Sequence, residues 1–157
     1  MKDKYILDAT CSARSMWFQK NHENTIYADK RSVDLICSDG KRWIVDPDIV
    51  MDFTQMPFED NTFKLVVFDP PHMKKLGENS IMAQKYGVLT YHWRHDIKEG
   101  LSECLRVLEP GGILIFKWNE NQIPVKEILA LCPIDPLFGH TNGKRGHTIW
   151  MTFMKPM

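Results

Sequence analysis

Four aspartates in this sequence each stand directly after a short apolar run: Asp8, Asp29, Asp52 and Asp69. Each apolar run predicts a β-strand, and the ligands of an open parallel sheet bind beyond the carboxyl ends of its strands. Four carboxylates at that edge could receive the hydroxyls, the amine and the positive charge of a nucleoside cofactor. A single aspartate in such a place is as readily a helix cap, but four in register favour a ligand site.

The last of these acids opens the tetrad Asp69-Pro70-Pro71-His72, which follows the almost wholly apolar run 63–68. A carboxylate and a backbone carbonyl held rigid by prolines could accept the two N–H groups of an amine and stabilise the positive charge that develops on its nitrogen as it attacks. The imidazole could stack on a base or take a proton, and stacking is the role we expect. The alternative is that Pro-Pro only ends a strand and turns the chain.

Short apolar runs alternate with helical patterns along the chain, which predicts parallel strands joined by crossover helices. The predicted strands cover residues 5–7, 25–28, 49–51, 63–68, 113–116 and 149–154. Asp39-Gly40, between two further apolar runs, predicts a hairpin. The predicted helices cover residues 15–20, 97–108 and 125–131, and His92, Trp93 and His95 could form the first turn of the second. We therefore expect a single α/β domain over residues 1–157.

The composition is that of an ordinary globular protein, with 43% hydrophobic and 25% charged residues among 157. Twenty basic residues balance twenty acidic ones, so the net charge excludes no class of partner. Cys11, Cys37, Cys104 and Cys132 form no C-x-x-C pair, and we expect neither a metal site nor a disulfide framework. The sequence has no apolar run of about 18 residues and no signal peptide, which predicts a soluble, cytoplasmic protein without a membrane partner.

Basic residues cluster in two segments. Residues 73–95 hold Lys74, Lys75, Lys85 and Arg94 against Glu78, a net charge of +3, and residues 139–157 hold Lys144, Arg145 and Lys155 without an acid, again +3. Aromatic rings interleave with the cations of the first segment, and this combination suits unstacked bases and phosphates. The candidate substrate-binding residues are Lys74, Lys75, Tyr91, Trp93, Arg94, Lys144 and Arg145. The alternatives are a lid whose aromatic rings pack on the domain and a solvated hairpin tip.

The run Ile6-Leu7-Asp8-Ala9-Thr10-Cys11-Ser12-Ala13-Arg14 resembles the first motif of class I S-adenosylmethionine-dependent methyltransferases, with Ser12 and Arg14 where that family has glycines. Ala28-Asp29-Lys30-Arg31 is similar to the second motif and Met51-Asp52-Phe53 to the third, and residues 105–112 resemble a run that precedes the fifth strand. The resemblance covers residues 5–118. It implies a Rossmann-like, open, mostly parallel sheet of seven strands, with helices on both faces and an antiparallel last strand.

The same resemblance implies S-adenosylmethionine as the cofactor. The first motif would lie against its methionine part, Asp29 would hold both ribose hydroxyls, and Asp52 would accept from the adenine amine beside Phe53. The implied cofactor-binding residues are Asp8, Ala9, Thr10, Cys11, Ser12, Asp29, Lys30, Asp52, Phe53 and Asp69. Side chains in place of the two glycines would alter the geometry of cofactor binding, weaken it or abolish it.

The tetrad resembles the Asp/Asn-Pro-Pro-aromatic signature of enzymes that methylate exocyclic amines of nucleobases, in the small, stand-alone, phage-like type without a target-recognition domain. It implies methyl transfer to a base of DNA or RNA, with adenine N6 favoured, and catalytic roles for Asp69, Pro70, whose carbonyl would accept an N–H, Pro71 and His72. Without a target-recognition domain, specificity would be loose, a homo-oligomer would complete the site, or the substrate would be a structured RNA or a protein-bound one.

The sequence is also compatible with other functions. The acceptor could be a small-molecule or protein amine, and the chain could be a binding module that keeps the fold with weak catalysis or none. A nicotinamide-dependent oxidoreductase on a similar fold is a further alternative. The absence of G-x-G-x-x-G after the first predicted strand argues against that last alternative.

Overall fold

A computed structural model of the protein describes residues 3–140 and 147–157. The strands in these ranges are β1 Ile6–Asp8, β2 Thr25–Asp29, β3 Val33–Ile36, β4 Arg42–Val45, β5 Ile49–Val50, β6 Phe63–Phe68, β7 Leu108–Asn119, β8 Phe138–Gly139 and β9 Thr148–Met154. The helices are α1 Ile81–Tyr86, α2 Trp93–Val107 and α3 Val125–Leu129. None of the helices in the described ranges is long and apolar enough to cross a membrane.

Seven of these strands form one sheet in the order β5-β2-β1-β6-β7-β9-β8. Neighbouring strands are parallel from β5 to β7, whereas β9 is antiparallel to both β7 and β8. The strands β3 and β4 form the separate hairpin that Asp39-Gly40 predicts. The prediction of an open, mostly parallel, seven-stranded sheet with an antiparallel last strand is therefore confirmed.

The hydrophobic core lies on one face of this sheet. Burial alternates along β7, where the side chains of Leu114, Phe116 and Trp118 are almost completely buried. Helix α2 covers this face closely, since a Cβ atom at Gly100 would lie 2.8 Å from the Phe68 ring. Helix α3 lies beside α2 and is joined to it by an ion pair. Helix α2 thus packs on β6, the strand that ends at the tetrad.

The opposite face is covered differently, because the helix predicted at 15–20 is wrong and residues 11–22 form turns instead. Ser12 and Arg14 have φ values of +46° and +54°, which belong to the left-handed region and cannot continue into a right-handed helix. The Arg14 guanidinium donates to the Lys20 carbonyl and to Asn21 Oδ1, both at 2.8 Å, which closes the turns. The side chains of Ile113 and Ile115 on the same face of β7 are only partly buried.

Other elements differ from the predictions in extent. The strand predicted at 113–116 is the longer β7, which includes Pro110-Gly111-Gly112; Gly111 has a φ of +75° there, and the pairing of β7 with β6 shifts in register. Helix α1 lies within the first basic segment, at a place where no helix is predicted. Ser80 Oγ caps its first turn. Trp93 and His95 do lie in the first turn of α2, preceded by His92 as the N-cap residue. The short strand β8 has no counterpart in the prediction.

Candidate active site

A cavity of about 350 Å³ opens at the carboxyl ends of β1, β2 and β6, where the sequence predicts a ligand. Its lining includes seven of the expected cofactor-binding residues: Thr10, Cys11, Ser12, Asp29, Lys30, Phe53 and Asp69. The other lining residues are Ser15, Met16, Arg31, Pro71, Tyr86, Gly87, Val88 and Lys117. We refer to this space as the cofactor cavity. Its volume lies within the usual range for small-molecule sites, about 300–1,000 Å³.

The loop after β1 has the backbone conformation that the motif glycines would supply. Ser12 and Arg14, at the two glycine positions of the motif, both have positive φ. The Ser12 amide donates to Asp29 Oδ2 at 2.9 Å, which joins this loop to the end of β2. The Arg14 guanidinium lies 3.9 Å above the Tyr27 ring and donates to the Asp46 carbonyl. The backbone amide of Ser12 and the side chain of Arg14 therefore tie these left-handed turns to neighbouring parts of the fold.

Asp29 lies at the base of the cofactor cavity, where its carboxylate is 12% exposed. Its two oxygens accept the backbone N–H groups of Ser12 and Arg31, at 2.9 and 3.0 Å. An ionised carboxylate has about four acceptor positions, so each oxygen retains one for a further donor. Two such positions side by side fit the two hydroxyls of a ribose, and the residues present thus fit a nucleoside cofactor.

Asp8 and Ala9 lie beneath the cavity and do not line it. Asp8 is fully buried, and its carboxylate accepts the Thr10 amide at 3.2 Å and Trp17 Nε1 at 2.6 Å. Burial raises the pKa of Asp8 from its ordinary value of 3.8 to about 7. The Ala9 amide donates to the Val67 carbonyl. In this structure Asp8 and Ala9 support the loop after β1 from below.

Asp52 and Phe53 are placed differently from each other. Phe53 lines the cofactor cavity and packs edge to face on Phe68. Asp52 does not line the cavity: its Oδ1 accepts from the backbone and the hydroxyl of Thr54, and its Oδ2 lies 3.0 Å from Lys30 Nζ. The Asp52 carboxylate thus orders the loop behind Phe53.

The tetrad follows β6 and is held by its neighbours. The Asp69 amide donates to Thr10 Oγ1 at 2.8 Å, and Asp69 Oδ2 accepts from Lys117 Nζ at 3.0 Å. His72 Nε2 lies 2.8 Å from Asp69 Oδ1, outside the angles of a hydrogen bond, and the His72 ring packs edge to face on Trp118. Asp69 Oδ1 and His72 Nδ1 are buried and have no hydrogen-bond partner among the described residues.

A second cavity, of about 360 Å³, lies on the other side of Asp69, and we refer to it as the acceptor cavity. Its lining comprises Asp69, Pro70, His72, Met73, Leu76, Met82, Tyr86, Gly87, Lys117, Asn119, Asn121 and Thr148. Four residues line both cavities: Asp69, Tyr86, Gly87 and Lys117. The two cavities therefore meet at the tetrad acid, so that a group held in one could react with a group held in the other.

An open groove of about 730 Å³ lies beyond the loop that follows the tetrad. It brings together five of the expected substrate-binding residues, Lys74, Lys75, Tyr91, Trp93 and Arg94. Tyr91 is 95% exposed, whereas Trp93 is only 5% exposed and packs in the core beneath the Arg94 guanidinium. Lys144 and Arg145 lie outside the described residues.

Residues 3–140 and 147–157 contain no cluster of three or more His, Cys, Asp or Glu side chains that could hold a metal ion. The cysteines in these ranges are all unpaired. Burial raises the pKa of the Cys11 thiol, which makes this lining residue of the cofactor cavity a poor nucleophile at neutral pH.

Lys117 lines both cavities of the candidate site but was missed by the sequence analysis. Phe68 of β6 pairs with Phe116 of β7, so the residues that follow them, Asp69 and Lys117, end side by side. The available signal was a lone lysine directly after the apolar run 113–116, but its meaning depends on the pairing of two strands distant in sequence. Tyr86 and Gly87 were missed for a similar reason, because the segment 73–95 gave no prediction of the place of α1.

Comparison with known proteins supports the architecture. No protein-family model matches the chain. Malonyl-[acyl-carrier protein] O-methyltransferase 1 of Coxiella burnetii is 29% identical over 68 residues, and this match spans 43% of the present chain and only 17% of that protein.

Solved structures resemble the whole chain at low sequence identity. An S-adenosylmethionine-dependent methyltransferase of Methanosarcina mazei is 13% identical with a TM-score of 0.59, over 100% of this chain and 94% of that one. A candidate rRNA methylase of Clostridium thermocellum is 16% identical with a TM-score of 0.53, over 97% and 88%. The [4+2]-cyclase SpnF is 12% identical with a TM-score of 0.56, over 97% and 74%, so the fold alone does not fix the reaction. The chain has the Rossmann-like fold of the S-adenosylmethionine-dependent methyltransferases.

Proposed function

We propose that this protein transfers the methyl group of S-adenosylmethionine to an exocyclic amine of a nucleobase in DNA or RNA, with adenine N6 the favoured acceptor. The observation that carries the proposal is that the cofactor cavity and the acceptor cavity meet at Asp69, the first residue of the tetrad. An amine held in the acceptor cavity would lie beside the Asp69 carboxylate and would face a methyl donor held in the cofactor cavity.

The cofactor cavity supports the first half of this proposal. S-adenosylmethionine, when bound there, supplies an electrophilic methyl group. The free acceptor positions of Asp29 would receive its ribose hydroxyls, and the Phe53 ring offers an apolar surface for its adenine. Ser12 and the backbone of its loop line the same cavity and would approach the methionine part.

The acceptor cavity supports the second half. Asp69 Oδ1 and the Pro70 carbonyl would accept the two N–H groups of an exocyclic amine and direct its lone pair towards the cofactor cavity. Transfer would form the nitrogen–carbon bond as the carbon–sulfur bond of the cofactor breaks, with S-adenosylhomocysteine as the leaving group. The surplus proton of the amine would pass to the Asp69 carboxylate and from it to solvent. Such acceptors stabilise the charge that develops on nitrogen during transfer. His72 lines the same cavity, where its ring could pack against the base.

The groove supports a polymeric acceptor. Lys74 and Lys75 are exposed on its wall, and the ring of Tyr91 stands almost free beside them. Cations that follow a phosphate backbone and an exposed aromatic ring that stacks on a base are the two elements of single-strand binding. A base lifted from such a strand could enter the neighbouring acceptor cavity, as base-modifying enzymes require.

The reaction product tests the proposal directly. The protein is incubated with methyl-labelled S-adenosylmethionine and separate pools of single-stranded DNA, duplex DNA and total RNA, and the digested nucleosides are analysed by mass spectrometry. We expect label on an exocyclic amine, chiefly as N6-methyladenine, and inhibition by S-adenosylhomocysteine. Label on carbon, on a ring nitrogen, on protein alone, or on none of these acceptors would contradict the proposal.

The groove is tested by the salt dependence of binding to the preferred nucleic acid pool. Each lysine that contacts a phosphate contributes about one unit to the slope of log affinity against log salt concentration. The double variant Lys74→Ala/Lys75→Ala should therefore lower the slope by about two. The matched control is Lys20→Ala/Lys41→Ala, two exposed lysines outside the groove. Equal slopes in the two double variants would rule out the groove as the phosphate-binding surface.

A further inference from the structure

Lys117 stands where the two cavities meet, on the rigid strand β7. Its ammonium donates to Asp69 Oδ2 at 3.0 Å, and among the described residues this is its one hydrogen bond. The ammonium also lies 5.6 Å from the centre of the Trp150 ring of the adjacent strand β9. The side chain is 27% exposed and lines both cavities, so it is in contact with the space that the reacting groups would occupy.

The carboxylate of Asp69 needs such a partner to have one defined orientation. A carboxyl group rotates readily about its Cβ–Cγ bond, because that terminal torsion has a broad energy profile. The charge of Asp69 is among those that raise the pKa of Asp8, so these two carboxylates repel each other when both are ionised. The Lys117 ammonium, fixed to Oδ2, offsets this repulsion and holds Oδ1 on the side of His72, which lines the acceptor cavity.

We propose that Lys117 is a positioning residue for methyl transfer, which acts by fixing Asp69 so that its Oδ1 meets the acceptor amine. This inference rests on the proposed function for its catalytic consequence, whereas the orientation of the carboxylate is a property of the free protein. An acceptor fixed before the substrate arrives requires no reorganisation during the reaction. Small displacements of a reacting group reduce rates by up to about 10²-fold.

Two variants separate the positioning role from a packing role. Lys117→Met keeps most of the side-chain stem and removes the ammonium, whereas Lys117→Arg keeps a charged donor. We expect Lys117→Met to lower kcat by roughly 10- to 100-fold, with the affinity for S-adenosylhomocysteine nearly unchanged. Lys117→Arg should retain much of the parent kcat. The control Lys64→Met removes an exposed lysine from the neighbouring strand β6 and should leave kcat unchanged.

A double-mutant cycle with Asp69→Asn tests whether Lys117 acts through Asp69. If it does, Lys117→Met has little further effect on kcat in the Asp69→Asn background, since coupled residues are not additive. An equal loss in both backgrounds would overturn the proposal, and so would an unchanged kcat in Lys117→Met. If Asp69→Asn and Asp69→Ala are both fully active, the failure is that of the proposed function.

Carbon-13 NMR of labelled aspartate in the free protein decides the matter without a substrate. The side-chain carboxyl signal of Asp69 is assigned by its loss in Asp69→Asn. We expect this signal to shift in Lys117→Met and to stay in place in Lys64→Met. An Asp69 signal that is the same in the parent protein and in Lys117→Met would show that the ammonium does not hold the carboxylate, and the proposal would then be wrong whatever the acceptor is.

Discussion

The cofactor side and the acceptor side of the site differ in how their acids are satisfied. Asp8 and Asp29 on the cofactor side accept from groups of their own chain with both carboxylate oxygens. On the acceptor side, Asp69 has Lys117 on one oxygen and no hydrogen bond to the other, and His72 Nδ1 is also unpaired among the described residues. The acids on the cofactor side are therefore held through both of their oxygens, whereas on the acceptor side Asp69 is held through one.

Substitutions on the two sides should therefore affect different properties of the protein. On the cofactor side the acids hold the fold and the loop geometry, so their loss should affect stability and cofactor affinity. On the acceptor side Asp69 contributes less to the fold, because one of its oxygens has no hydrogen bond to lose. Its removal should affect turnover with little change in folding or cofactor binding.

The largest expected effect belongs to Asp69. Asp69→Ala removes the acceptor that would bind the amine most strongly in the transition state, and turnover should fall by roughly 10²–10³-fold. Calorimetric titration with S-adenosylhomocysteine should give nearly the parent affinity. If Asp69→Ala loses cofactor affinity to the same degree as turnover, the proposed difference between the two sides is wrong.

Asp29 should show the reverse pattern. Asp29→Ala removes the acceptor for the ribose hydroxyls, and S-adenosylhomocysteine should bind about 1–3 kcal/mol more weakly in calorimetry. Asp29→Asn, which keeps one acceptor oxygen, should lose less. Asp52→Ala is the matched comparison, because that carboxylate lies off the cavity, against Thr54 and Lys30. A larger loss for Asp52→Ala than for Asp29→Ala would reverse the assignment.

Asp8 should make the stability of the protein depend on pH. Its pKa rises from 3.8 to about 7 on folding because of burial, so unfolding releases a proton between these values. The free energy of unfolding should therefore fall by up to about 1.4 kcal/mol per pH unit as the pH rises from 4 to 7, and then level off.

Urea titrations across this range check the slope, and Asp8→Asn should lack it because the amide does not titrate. The parent protein and Asp8→Asn should differ most in slope below pH 7 and run parallel above it. Identical pH profiles would mean that another group causes the dependence, and that Asp8 is ionised throughout.

The acids of the site could be predicted from the sequence because each depends on local pattern. An apolar run followed by aspartate marks a strand end, and β6 has the predicted bounds, Phe63–Phe68. The fold followed from the order of such runs. What these residues share is that the apolar run before each of them places it at or just after the end of a strand.

The remaining features depend on contacts between distant parts of the chain. Lys117 meets Asp69 only because β7 pairs with β6, and the turns at 11–22 depend on Arg14 reaching Asp46 and Tyr27. The apolar spacing at 15–20 fits a helix, but the left-handed residues before it do not. No local pattern contains that information, since serine and arginine seldom adopt positive φ.

The smallest effect concerns Ser12, whose φ of +46° strains a residue with a side chain. Glycine has no such strain, so Ser12→Gly should be more stable than Ser12→Ala by about 1 kcal/mol in urea unfolding, although both lose the hydroxyl. The usual order is the opposite: at Lys98, exposed within α2, Lys98→Gly should be about 1 kcal/mol less stable than Lys98→Ala. If glycine is the less stable variant at both positions, the loop after β1 does not have the left-handed backbone of the motif. The well-defined conformation of the cofactor side would then have another cause.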